Sequence, residues 1–114
     1  MDLEGLRRGD IVVVAGAGYG AKPRPAVIIQ SDAFPSSPSL TVCLFTGSPT
    51  DAPLTRVAIA ADERNNLRKP SALMVDKIMT VRRDQVGRQI GRLAADDMVR
   101  LNRALIVFLG LAGE

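Results

Sequence analysis

The sequence has no histidine, no tryptophan and a single cysteine, Cys43. Without histidine there can be no Ser-His-Asp or Cys-His triad and no two-histidine ribonuclease. No side chain has an ordinary pKa near 7, so any catalysis must use carboxylates, Arg, Lys, Tyr or hydroxyls. One cysteine cannot form an internal disulfide, and without histidine it cannot complete a structural zinc site. A reducing, cytoplasmic setting is the expected location. The longest apolar stretch, Ala104 to Ala112, is far short of a membrane span, and no membrane partner is expected. The N-terminal Met1-Asp-Leu-Glu-Gly-Leu-Arg-Arg lacks the apolar segment of a secretory signal. Aromatics are sparse as well (Tyr19, Phe34, Phe45, Phe108), which excludes an extensive stacking platform.

What is present describes a compact chain. Its 114 residues suit one domain, residues 1–114, and 46% hydrophobic content is that of a globular protein. The net charge of +3 hides an asymmetry. Twelve of the fifteen basic residues are arginine, whose planar fork suits phosphate and carboxylate. Residues 64–103 hold ten bases against four acids, which favours an anionic partner, either nucleic acid or an acidic protein segment.

Short β-branched runs predict six strands: Arg8–Val14, Arg24–Gln30, Thr41–Thr46, Arg56–Ala60, Ser71–Thr80 and Arg88–Leu93. The second is apolar on both faces, and Pro25 restricts its start to an edge or strand beginning. Between the first two strands, residues 15–23 form a Gly-rich loop. It holds no G-x-G-x-x-G before a helix, so a dinucleotide fingerprint is rejected. The period then changes: Met98, Leu101, Leu105 and Phe108 recur at helical spacing, with Asp96 and Asp97 in the first turn and Gly110 as the stop. From Ala104 to Leu109 the helix is apolar nearly all round, so its last turns are expected to be buried, in the core or against a second subunit. Short strands plus one C-terminal helix, with no alternating β-α units, give a mainly β (α+β) class, a small antiparallel barrel or sheet.

The order of motifs carries further. Arg8-Gly-Asp-Ile, a Gly-rich loop, Arg24-Pro-Ala-Val-Ile-Ile-Gln-Ser-Asp-Ala-Phe, a strand ending Thr46-Gly-Ser, Leu73-Met-Val-Asp-Lys-Ile-Met-Thr-Val and Gly87-Arg-Gln-Ile-Gly-Arg-Leu follow one another into the helix. This collinear set closely resembles the MazF/PemK family, the toxin halves of bacterial type II toxin–antitoxin pairs. The resemblance implies a small SH3-like β-barrel with a C-terminal helix, acting as a homodimer. It implies a metal-independent, sequence-specific endoribonuclease that cuts single-stranded RNA and is neutralised by a cognate antitoxin protein, with DNA met only indirectly, through a toxin–antitoxin complex. The fold also includes CcdB-like toxins that poison gyrase and cut nothing, the alternative reading, because fold alone does not determine activity.

Carried over by position, Arg24 matches the arginine of the family's Arg-Pro motif and Thr46 the threonine ending the third strand; both are catalytic candidates. Ser48 is expected to assist, and Tyr19, Lys22 and Lys77 to contact RNA. On residues alone, Arg24 reads first as a strand-edge arginine and Thr46 as a β-former at a strand end; only the ordered motifs turn both toward catalysis. Asp76 stands in an apolar strand and needs a partner such as Arg56, Lys77 or a hydroxyl. It divides between a structural ion pair and a general-base role. Departures from the family pattern are Met74 where one branch has arginine, Met79 in another frequent arginine position, and Tyr19 with Lys22 in a loop that often carries an acid. Cys43, within an apolar strand, is expected to be inert core.

Overall fold

The computed structural model describes residues 5–16, 22–48 and 52–113. Six strands form one antiparallel sheet: β1 (Asp10–Val14), β2 (Arg24–Ile28), β3 (Ser39–Thr46), β4 (Arg56–Ile59), β5 (Ser71–Arg82) and β6 (Val86–Arg92). Their spatial order is β4-β5-β3-β2-β1-β6. Helix α1 (Ala95–Phe108) follows β6 and packs on β4 and β5. All six strands and the helix fall where the sequence places them, with strand ends moved by at most two residues.

The central strands are apolar on both faces because both faces are covered. Val27 and Cys43 join Ile11, Leu73 and Val75 in a core sealed by Leu101 and Leu105 of α1. Ala26 and Ile28 join Val12, Val42, Leu44 and Val81 in a second core on the opposite face. Cys43 lies in the first, fully buried. Burial pushes its thiol pKa up to about 12, helped by the nearby Asp76 carboxylate.

The two sheet edges, β4 and β6, are brought together without a strand ladder between them among the described residues. The loop after β4 spans the seam. Arg92 N–H donates to the Arg64 carbonyl at 3.0 Å, and Asn66 Nδ2 donates to the Ile90 carbonyl at 2.7 Å. Gly91 makes this approach possible: a Cβ there would lie 2.6 Å from the carbonyl oxygens of Arg64 and Asn65. Asn65 organises the loop from inside. Its Oδ1 accepts from the Asp62 and Leu67 N–H groups at 3.0 Å, and its Nδ2 donates to the Ala60 carbonyl at 2.9 Å. The result is barrel-like, an open sheet closed by a loop.

The helix end is buried only in part within the single chain. Leu101 and Leu105 are buried, but Val107 is 57% exposed and Leu111 70% exposed, and Ile106, Phe108 and Leu109 are open as well. A segment apolar all round has more surface than one sheet face covers, so only the stripe facing β4 and β5 is buried within a single chain.

Candidate active site

Arg24 opens β2 and Thr46 closes β3. The β2–β3 ladder pairs Ala26 with Leu44 and Ile28 with Val42, so the same register carried two residues further sets Arg24 opposite Thr46. The ladder stops short of them for a covalent reason. Ile29 N–H donates to Thr41 on β3, so odd-numbered β2 residues turn their N–H toward β3. Pro25 occupies the next-but-one such position and has no N–H to give. The strands therefore part where the two candidate residues stand. Alternation puts Arg24 on the face of Ala26 and Ile28, and Thr46 on the face of Val42 and Leu44, which is one shared face.

Arg24 is half-buried, and its Nε is buried with no hydrogen-bond partner among the described residues. An orphaned donor on a charged group costs of the order of 1–3 kcal/mol or more, which is recovered when an anion accepts from it. Thr46 Oγ1 accepts the Ser48 N–H at 3.2 Å, a local turn that fixes the oxygen and leaves the hydroxyl proton available to donate.

On the other side of the strand ends, Pro25 and Phe45 floor a cleft of about 720 Å³, within the roughly 300–1,000 Å³ of small-ligand clefts. Leu67 and Ile90 extend the floor, and Arg24, Arg68, Lys69 and Arg88 are its charged lining residues. Among the described residues no carboxylate lines it. Among the described residues no group of three His, Cys, Asp or Glu gathers as metal ligands.

The other expected site residues are dispersed. Asp76 sits where β5 bulges: Cys43 faces Ile78 while Phe45 faces Leu73, so extra β5 residues oppose one step of β3. The bulge turns Asp76 toward solvent, where it pairs with Arg56, with side chains 31% and 15% exposed. This is the first of the two roles its sequence context left open, and Asp76 does not line the cleft. Lys77 follows it, half-buried, also away from the cleft. Lys22 and Ser48 are exposed beside Pro23 and Thr46 respectively. Tyr19 lies outside the described residues.

In the sequence Arg68, Lys69 and Arg88 stand out only as part of the basic excess of residues 64–103. The Arg68-Lys69-Pro70 run in a polar connection was the available signal, and its place in the cleft depends on the seam.

A family model described as the PemK-like, MazF-like toxin of type II toxin–antitoxin systems matches residues 7–109. A protein of Mycolicibacterium smegmatis described as a probable endoribonuclease MazF is 51% identical over 109 residues, covering 95% of this chain and 100% of that protein. Among solved structures, the Mycobacterium tuberculosis toxin MazF-mt6 superposes with a TM-score of 0.76 at 26% identity, over 89% of this chain and 96% of its own. An endoribonuclease of mycobacterial species, solved with its cognate antitoxin, shares the fold with a TM-score of 0.79 at 24% identity, over 96% of this chain and 100% of its own. Motif order, open six-stranded fold and relatives agree: the chain belongs to the PemK-like, MazF-like toxin family of type II toxin–antitoxin systems.

Proposed function

We propose that this chain is the toxin of a type II toxin–antitoxin pair and cuts single-stranded RNA, with Arg24 and Thr46 at the scissile phosphate. One observation carries the reading: Arg24 has a buried Nε with no hydrogen-bond partner among the described residues, and the β2–β3 register, extended two residues past its last pair, sets it opposite Thr46 at strand ends that border a cleft whose described lining holds no carboxylate. The substrate supplies the nucleophile that a histidine-free chain lacks the means to activate in itself. The 2′-hydroxyl gives up its proton to solvent and its oxygen bonds to phosphorus as the P–O5′ bond breaks; the electron pair leaves with the 5′-oxygen, which takes up a proton from solvent. Charge grows on the non-bridging phosphate oxygens, and a fixed guanidinium with a hydroxyl donor stabilises that charge where it develops. Pro23 and Pro25 restrict the backbone on either side of Arg24 and lower the entropy lost in aiming it. Asp76 enters through its ion pair with Arg56.

A gyrase-directed binding toxin on the same scaffold needs no orphaned arginine beside a hydroxyl, so the ribonuclease reading is preferred. A homodimer is proposed on the apolar end of α1, where Ile106, Phe108 and Leu109 are exposed. The neutralising partner is an acidic antitoxin segment, and the site of action is the cytoplasm. Primer extension on mixed-sequence RNA incubated with the protein in EDTA tests the activity. Discrete stops with 2′,3′-cyclic phosphate ends are expected; intact RNA, with stabilised gyrase–DNA adducts instead, would transfer the chain to the binding class.

A further inference from the structure

The cleft beside Arg24 combines two chemistries. Pro25, Phe45, Leu67 and Ile90 give it an apolar floor, while Arg68 and Lys69 of the seam loop and Arg88 of β6 stand at its rim. Most other arginines are held. Arg7, Arg56, Arg82, Arg92 and Arg100 pair with carboxylates, and Arg8 donates to the Ile29 carbonyl and to Asn102. The side chains of Arg68, Lys69 and Arg88 are exposed and have no partner among the described residues. Cations gathered without an acid repel one another and focus positive potential against low-dielectric walls, a cost that an anion relieves. Lys69 is also tied to the candidate active site by packing. A Cβ on Gly47 would lie 2.7 Å from Lys69 Cε and 3.0 Å from its Nζ, so the ammonium lies along the turn that follows Thr46.

An apolar floor under a cationic rim matches a flat apolar body flanked by phosphates, which is an unpaired nucleotide. An acidic peptide would satisfy the rim and leave the floor unused. Resting on the ribonuclease reading, we propose that this cleft is a nucleotide subsite adjoining the scissile phosphate. Arg68, Lys69 and Arg88 bind backbone phosphates there, and the floor carries the unstacked base. These are substrate-binding residues, and the seam loop positions two of the three.

The test uses the full chain and a mixed-sequence 2′-O-methyl oligoribonucleotide, which keeps bases and phosphates but lacks the nucleophile. Binding is followed by fluorescence anisotropy across a salt series. The triple variant Arg68→Gln/Lys69→Gln/Arg88→Gln should flatten the log affinity–log salt slope by about 2, because each single-strand phosphate contact contributes roughly 0.7. Its affinity at low salt should fall at least about tenfold, with an unchanged melting temperature. Arg103→Gln, a single charge loss on exposed α1 surface outside the cleft, should leave the slope unchanged, whereas each of Arg68→Gln, Lys69→Gln and Arg88→Gln alone should flatten it by roughly 0.7. An abasic strand of the same length should bind the wild type about tenfold more weakly than the base-bearing probe. Equal slopes for wild type and triple variant, in a protein that cleaves RNA, overturn the subsite and leave the proposed function standing. So does a triple variant that keeps RNA affinity and loses affinity for poly-glutamate. A wild type that neither binds nor cleaves RNA removes the function and the subsite together.

Discussion

Gly91→Ala probes the device that makes an open sheet behave as a barrel. Alanine in place of glycine within a strand ordinarily stabilises by about 0.5–1 kcal/mol, through the unfolded chain. Here the added methyl would sit 2.6 Å from two backbone carbonyl oxygens, those of Arg64 and Asn65, and backbone cannot swing aside as a side-chain tip can. Overpacking of this kind costs typically 1–3 kcal/mol. Pushing the loop outward also strains the Arg92–Arg64 and Asn66–Ile90 hydrogen bonds, each worth about 1 kcal/mol net. The opposing terms leave a loss of about 2 kcal/mol, or roughly 8 °C in melting temperature for a chain of this size. Urea and thermal unfolding measure it, and hydrogen exchange at the Arg92 amide locates it. Because the displaced loop carries Arg68 and Lys69, affinity for single-stranded RNA should fall with stability. A Gly91→Ala protein as stable as the wild type would refute the seam as a close backbone contact.

Asn65→Ala should destabilise by about 2–3 kcal/mol in urea titration, because it removes the one buried side chain of the loop and its three hydrogen bonds, to the Asp62 and Leu67 N–H groups and the Ala60 carbonyl. Cys43 should resist thiol reagents at pH 8 in the native protein and react on unfolding in urea. Its folded pKa, about 12, lies above the ordinary thiol value of 9.0, so the linked stability is intact below about pH 9 and is lost as pH rises toward 12; Cys43→Ala should remove that alkaline slope. Asp76→Asn should cost about 1 kcal/mol through the Arg56 pair and leave RNA cleavage in place, whereas a folded variant without cleavage would make Asp76 the proton acceptor.

The strands and the helix were legible in the sequence because their signals are local: β-branched runs, the Pro25 restriction, and the Met98-Leu101-Leu105 spacing. The two-faced β2 was legible for the same reason. Arg24 and Thr46 could be named from motif order, yet their juxtaposition depends on a β2–β3 register that no local pattern encodes. Asn65 reads as one more polar residue in a connection, and only its buried place under the seam shows it organising the loop. Gly91 reads as strand interior until a backbone passes over it. The β5 bulge leaves no compositional trace, so an acid in an apolar run looked buried when it is turned to solvent. The apolar end of α1 was legible as surface to be covered, in the core or against a second subunit; the single chain buries only Leu105 of residues 104–109, because an apolar period does not say which chain does the covering.

The ribonuclease site itself is tested most directly by comparing wild type and Arg24→Ala in single-turnover cleavage of RNA in EDTA, with melting curves run in parallel. Removing one preorganised donor to developing phosphate charge should slow cleavage by about 10²–10³-fold with the fold retained. Cleavage at the wild-type rate by a folded Arg24→Ala protein would contradict it.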